Sequence, residues 1–243
     1  PQNPKTPLYW NISFKYKGNK SLHWWSLGLL VFICCQGLFG YLTVSLKLLP
    51  IIVTGHLFGG FFTLSLFYLI FLKAGDFKIL DQMKIPHLKG ISMLAMIFLL
   101  FQIFLGAWTS TNYASLACVD FPTCQGTYLP EMDFKQGFNF SQEVGPNYLY
   151  GLLDNSARVA IHYSHRVSAI LVTIVFLVLM SKLWFSAAAP LASTLGILLL
   201  TQISLGIINV VYVLPLYVAI AHNLIAASLL LGTITVNYLA WKK

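Results

Sequence analysis

The sequence predicts an all-α protein: a polytopic membrane bundle of six transmembrane helices, built from repeated helical hairpins, with both termini in the cytoplasm. Of its 243 residues, 58% are hydrophobic and only 9% are charged, and the mean hydropathy is +0.76. A soluble domain carries about a quarter charged residues. Six apolar segments are long enough to cross a bilayer, which takes roughly 20 residues each. All seven acidic residues lie outside these segments.

The segments divide the chain into membrane-spanning and connecting parts. We place the six spans at residues 24–46, 50–72, 91–111, 159–184, 190–212 and 216–241. Residues 1–23 are a predicted cytoplasmic tail, 73–90 a cytoplasmic loop and 112–158 a long outer loop. The chain starts at Pro1 with a polar stretch that lacks the pattern of a cleavable signal peptide, so we expect further residues upstream.

The distribution of charge predicts the orientation. The tail, the second connection, Lys182 and the C-terminus together hold eleven basic residues and two acids, whereas the opposite side holds three basic residues and five acids. Basic residues favour the cytoplasmic side, so both termini are predicted to lie there. The net charge of +8 then reflects topology and attraction to anionic lipid, and does not indicate nucleic-acid binding.

An internal repeat relates the three hairpins. In each, the first helix carries a glutamine and, four residues later, a glycine, and the second helix carries a histidine: Gln36, Gly40 and His56; Gln102, Gly106 and His165; Gln202, Gly206 and His222. The interval from glutamine to histidine is 20 residues in the first and last copies. Glycine at the shared position would let helices pack closely, which is a sufficient alternative reason for its presence.

The repeated histidines are the leading candidates for a binding site. His56, His165 and His222 each lie about six residues into their segments, roughly 9–10 Å below the outer end at about 1.5 Å per residue. Two imidazoles at one depth on different helices can bind haem iron from both faces. We predict the pair His165 and His222, with His162, one turn shallower, as the rival ligand. The alternative for any single histidine is a hydrogen-bonded packing residue.

Two arginines and two cysteines complete the candidate set. Arg166 lies in the membrane with no acid in any span to pair with it, and a haem propionate would be a suitable partner. Arg158 is a weaker candidate for the same role, and the alternative for Arg166 is snorkelling or bonding to backbone carbonyls. Cys118 and Cys124 in the outer loop are compatible with a disulfide, free thiols or a zinc site.

Several motifs resemble the haem A synthase family, and the resemblance covers nearly the whole chain from about residue 24. They are residues 46–56, residues 105–124 with both outer-loop cysteines, Ile161-His-Tyr-Ser-His-Arg166, and residues 202–222. The resemblance implies a multi-pass protein of the bacterial plasma membrane. It would be an oxidoreductase that converts the ring methyl of haem O to a formyl group, for the haem A of cytochrome oxidase.

The resemblance also assigns residues. Residues 91–243 would be the C-terminal half, which holds haem b between His165 and His222, with Cys118 and Cys124 as a disulfide. Residues 24–72 would be the second hairpin of the substrate-side half, with His56 toward the iron of haem O. The family's first hairpin, which carries the catalytic glutamate, has no counterpart, so no catalytic residue is assigned. We therefore expect a fragment or a shortened homologue that binds haem b without turning over haem O.

The implied partners are haem O, membrane lipid, a haem O synthase, an electron donor and a second copy of the chain. A membrane electron carrier with bis-histidine haem b and no oxygenation activity is the alternative function. A helical transporter would require broken or ionisable helices at the midplane, which the sequence does not clearly show.

Overall fold

Six long helices dominate the computed structural model, which describes residues 20–75, 77, 80, 82–83 and 85–242. The helices are α1 Lys20–Ser45, α2 Pro50–Ala74, α3 Lys89–Thr111, α4 Asn155–Trp184, α5 Ala189–Val211 and α6 Leu216–Trp241. All six are long and apolar enough to cross a membrane. The prediction of an all-α membrane bundle is confirmed. Residues 1–19, most of the predicted tail, lie outside the described residues, as do the loop positions 76, 78, 79, 81 and 84.

Three of the connections are four residues long, whereas the one between α2 and α3 spans residues 75–88 and the outer loop spans residues 112–154. One-turn helices at Pro86–Leu88, Ala114–Leu116 and Phe134–Gly137 lie in the connections on either side of α3. Helix α4 begins at Asn155, whereas its span was predicted to begin at 159. Arg158 therefore lies in the first turn of α4, inside the helix and not at the end of the outer loop. Hydropathy missed this turn because its first four residues, Asn-Ser-Ala-Arg, are mostly polar.

The same turn joins α1 to α2 and α5 to α6. Each turn holds two successive left-handed residues, Lys47 and Leu48 in the first and Val213 and Leu214 in the second. The second residue of each pair donates its N–H to the carbonyl five residues earlier: Leu48 to Thr43 at 2.8 Å and Leu214 to Asn209 at 2.7 Å. The sequence repeat is thus a repeat of backbone conformation as well.

Four helices form a closed ring. Helix α3 packs on α4, α4 on α5, α5 on α6 and α6 on α3, so α4 and α6 lie diagonally across the ring. The α1–α2 hairpin joins it through α2, which packs on both α3 and α6. The hydroxyls of Thr54 on α2 and Thr111 on α3 lie 2.9 Å apart at this contact.

The ring interior is apolar at one end. Buried side chains fill the half that lies away from the outer loop: Leu99, Phe176, Leu179, Leu195 and Leu229. On the outside, large apolar side chains face away from the protein, as Ile170 and Leu200 do at 61% and 68% exposure. Apolar side chains on the outer surface are what a lipid environment favours.

Candidate functional site

Each repeated histidine rests against the glycine of its own hairpin. A Cβ added to Gly40, Gly106 or Gly206 would stand 3.1, 3.1 or 3.2 Å from Cε1 of His56, His165 or His222 respectively. Such distances are tighter than most real Cβ contacts, so any larger residue would push the ring away. The glycines thus bring the helix backbone against the edge of the imidazole. Their role is therefore more specific than the general helix packing that the sequence offered as an alternative.

Glutamine completes the contact in two of the three hairpins. Gln102 Nε2 lies 3.1 Å from His165 Nδ1 and 3.4 Å from its Nε2, and donates to the backbone oxygen of His165 at 3.1 Å. Gln202 Nε2 lies 3.0 Å from His222 Nε2. We call the glycine and glutamine that contact one imidazole its histidine seat.

The first hairpin departs from this pattern. The Gln36 side chain lies against Gly59, where an added Cβ would overlap its carboxamide. Gly59 is one turn beyond His56 along α2. The seat of His56 therefore contains the glycine but not the glutamine, which contacts Gly59 instead. The repeated spacing in the sequence did not reveal this difference.

His165 and His222 belong to diagonal helices of the ring, α4 and α6. Both are half-buried. Two rings on diagonal helices of one bundle have the arrangement that the predicted ligand pair requires, whereas His56 belongs to the neighbouring α1–α2 hairpin.

His162 differs from His165 in its surroundings. It is only 5% exposed, and its Nε2 accepts a hydrogen bond from Arg166 Nε at 3.2 Å. Measured from the observed helix starts, His56 and His222 lie six residues in, His162 seven and His165 ten. The sequence predicted that His165 shares the depth of His56 and His222, but measured from the observed helix starts it is His162 that lies closer to their depth. The histidine seat does distinguish His165.

Arg166 holds the outer loop. Its Nη1 donates to the carbonyl oxygens of Asp120 and Thr123 at 3.0 and 2.9 Å, and its Nη2 donates to that of Cys118 at 3.0 Å. With the bond to His162, four of its five N–H groups have partners among the described residues. The alternative of carbonyl bonding is thus what the structure has, and a propionate contact for Arg166 stays a prediction.

A disulfide joins Cys118 to Cys124, as predicted, so these thiols are neither free nor zinc ligands. Within the loop that it closes, Asp120 accepts bonds from Thr123 Oγ1 and from the backbone N–H groups of Gly126 and Gln125. The Thr123 hydroxyl, followed by these N–H groups, holds the pKa of the Asp120 carboxyl below its ordinary value.

Arg158 presents the opposite situation to Arg166. Its Nε is buried and has no hydrogen-bond partner in the part of the chain that the structure describes. A buried, unsatisfied guanidinium nitrogen is costly. It is therefore a candidate contact for an anionic group, although the sequence ranked it below Arg166.

The sequence of the chain matches a known protein family. Residues 6–234 match the family described as cytochrome oxidase assembly protein, COX15-CtaA. The chain belongs to this family. Among relatives named heme A synthase, that of Shewanella oneidensis is 39% identical over 219 residues, which cover 89% of this chain and 66% of the relative. The resemblance drawn from the sequence motifs is confirmed.

Two further relatives named heme A synthase are more distant. That of Methylobacterium radiotolerans is 30% identical over 165 residues, which cover 67% of this chain and 42% of the relative. That of Erythrobacter litoralis is 27% identical over 217 residues, which cover 85% and 60%. The chain thus spans about two thirds or less of the length of these family members. With its six apolar helices and bacterial relatives, it is a multi-pass protein of the bacterial inner membrane.

Proposed function

We propose that this chain acts in haem A synthesis, as the haem-binding part of an oxidoreductase that converts the ring methyl of haem O to a formyl group. The observation that carries the proposal is the pair of histidines, His165 and His222, each held in a seat on diagonal helices of one ring. The names of the relatives support the reaction class.

The residues present fit a haem. The Nδ1 atoms of His56, His162 and His222 are buried and have no partner among the described residues, which leaves ring nitrogens on α2, α4 and α6 for another group. Neutral imidazoles are suitable iron ligands in a region without acidic side chains. When bound, haem supplies the iron redox chemistry that a methyl oxidation requires, which protein side chains do not provide.

In this proposal the chain positions and encloses the cofactor, here haem b. His165 and His222 would hold its iron, and Gly106 and Gly206 make room for their rings. Arg158, with its unsatisfied Nε, is the better partner for a propionate, because Arg166 is already engaged by the disulfide loop. Arg166 is next to His165 in the chain, so the loop that it holds is fixed beside the proposed ligand.

His56 is the proposed residue on the haem O side. It belongs to the α1–α2 hairpin, which packs through α2 on α3 and α6 of the ring. The proposed substrate thus lies beside the proposed haem b, and its histidine has the glycine contact of the other two. The electron donor and any haem O synthase contact would complete the system.

Co-expression with a haem O synthase tests the two assignments separately. Haem would be extracted from the purified chain and from its His56→Ala and His222→Ala variants and separated by chromatography. We expect haem b and haem O with the parent chain, loss of haem O alone with His56→Ala, and loss of haem b with His222→Ala. Haem A in the same extracts would show that these helices suffice for turnover. Loss of the same haem from both variants, or of none, would refute the two-site proposal.

A further inference from the structure

The glutamine of a histidine seat touches the imidazole at the atoms that decide how the ring can serve as a ligand. An imidazole can bind a metal through one nitrogen while the other keeps the proton, and a hydrogen-bond partner selects which nitrogen does so. The Nε2 atom of Gln102 reaches both ring nitrogens of His165, and that of Gln202 reaches Nε2 of His222. An amide nitrogen only donates, so it bonds a ring nitrogen that carries no proton, whereas a ring N–H needs the amide oxygen. Because both contacts fall on the ring edge, they also restrict rotation of its plane.

We propose that Gln102 and Gln202 are positioning residues whose carboxamide oxygens would accept the imidazole N–H that His165 and His222 keep when the other ring nitrogen binds iron, and so fix the ring plane and the tautomer. This inference rests on the proposed function, because it concerns the same haem. It adds to that function the residues that set the mutual orientation of the two ligand planes.

The Gln102 carboxamide is itself held in place. Gln102 also donates to the backbone oxygen of His165, so its amide is tied to the residue whose ring it contacts. The Oε1 atoms of Gln102 and Gln202 are buried without a partner among the described residues. The Oε1 of each glutamine is therefore available to accept an imidazole N–H, whereas the equally unpartnered Oε1 of Gln36 belongs to a side chain that lies against Gly59.

The first hairpin provides an internal control. Gln36 occupies the same repeat position, but its side chain lies against Gly59. Substitutions of Gln36 therefore make the same chemical change, in a helix of the same type, at a distance from the ring that holds His165 and His222.

The test uses leucine and asparagine variants of Gln102 and Gln202 in the haem-loaded full chain. Leucine keeps most of the volume and removes the amide, whereas asparagine keeps the amide but withdraws it from the ring. Leucine is preferred to methionine because a thioether can itself bind haem iron. The readouts are the electron paramagnetic resonance g-values of the ferric haem, which report the angle between the ligand planes, and the rate of haem loss.

If the glutamines position the rings, both substitutions at either site shift the g-values and raise the rate of haem loss by about twofold to tenfold, the range for one hydrogen bond. Gln36→Leu and Gln36→Asn leave both readouts at the parental values. If one leucine variant fails to accumulate, the variant at the other glutamine carries the same comparison.

Other outcomes overturn the inference. Unchanged g-values in all variants would show that the amides do not orient the rings. A shift with asparagine but not with leucine would show that only side-chain volume counts. In both cases a bis-histidine spectrum of the parent chain leaves the proposed function intact. A parent chain without that spectrum would refute the proposed function, and the inference with it.

Discussion

A glycine lies against each repeated histidine because a Cβ in its place would stand about 3 Å from the imidazole. The spacing of the glutamines, glycines and histidines was visible in the sequence, and the contact between glycine and histidine does occur in all three hairpins. The contacts themselves were not predictable. Spacing does not show which face of a helix meets its neighbour, so the Gln36 contact with Gly59 could not be distinguished from the contacts of Gln102 and Gln202.

Two glycines of α5 provide a matched test at this scale. In Gly206→Ala the new methyl would lie 3.2 Å from His222 Cε1, whereas in Gly196→Ala it would lie 3.5 Å from Met180 Sδ, an ordinary contact. Overpacking typically costs about 1–3 kcal/mol, so we expect Gly206→Ala to weaken haem retention about tenfold. Gly196→Ala should match the parent or be slightly more stable, because alanine favours helix. Equal haem retention in both variants would contradict the importance of the seat.

The helices were predicted more accurately than the loop that covers them. Long apolar runs identify spans, and all six observed helices begin within four residues of the predicted positions. The first turn of α4 was missed because its polar residues give no hydropathy signal. This turn instead contacts the outer loop, as in the bond from the Asp133 N–H to the Ser156 oxygen. The contact of Arg166 with the loop is likewise non-local, since its partners lie more than forty residues earlier.

The Arg166 contacts predict the behaviour of the disulfide loop. In Arg166→Lys a single ammonium replaces a fork that serves three carbonyls and His162, and lysine cannot reproduce that geometry. We expect faster amide hydrogen exchange across residues 118–127, by about tenfold or more, since one bond to a charged group is worth about 1.5–3 kcal/mol. Arg158→Lys is the control, because no loop carbonyl depends on its side chain among the described contacts. Equal exchange in both variants would rule out the proposed role of Arg166.

Asp120 makes the same loop sensitive to acid. The pKa of its carboxyl is held below the ordinary value, so its bonds stabilise the folded loop at neutral pH. That contribution is present above the unfolded pKa of about 4 and is lost as the pH falls through the lower, folded value. Amide exchange at Gln125 and Gly126, corrected for its intrinsic pH dependence, should accelerate only in that acidic range. Asp120→Asn should show fast exchange already at neutral pH. Parental exchange in this variant would disprove that the Asp120 carboxylate stabilises the loop.

At the scale of the whole molecule, the bundle was predicted and the ring was not. Composition shows that six helices lie in lipid. It does not show which helices pack together, because an apolar helix surface can face lipid or protein equally well. The closed ring of α3 to α6 and the docking of α2 therefore depend on shape and on a few polar contacts. One such contact joins Tyr68 on α2 to Thr235 on α6, whose hydroxyls lie 2.8 Å apart.

The orientation of this bundle is a further prediction. Six spans bring both ends of the chain to one side, and the basic residues favour the cytoplasm for that side. A fluorescent protein that folds only in the cytoplasm should be fluorescent when fused after residue 243. Alkaline phosphatase, which is active only outside the cytoplasm, should be inactive at the same position and active when inserted in the outer loop. The reverse pattern would show that the bundle is inverted.

The central claim is that His165 and His222 together bind one haem iron, and the visible absorbance spectrum of the reduced, purified chain tests it most directly. Low-spin haem with two histidine ligands has a sharp spectrum that loss of either ligand removes. The parent chain and His162→Ala should both show this spectrum. His165→Ala and His222→Ala should each lose it. A low-spin spectrum that survives in His165→Ala or His222→Ala, or that disappears in His162→Ala alone, would contradict the assigned pair.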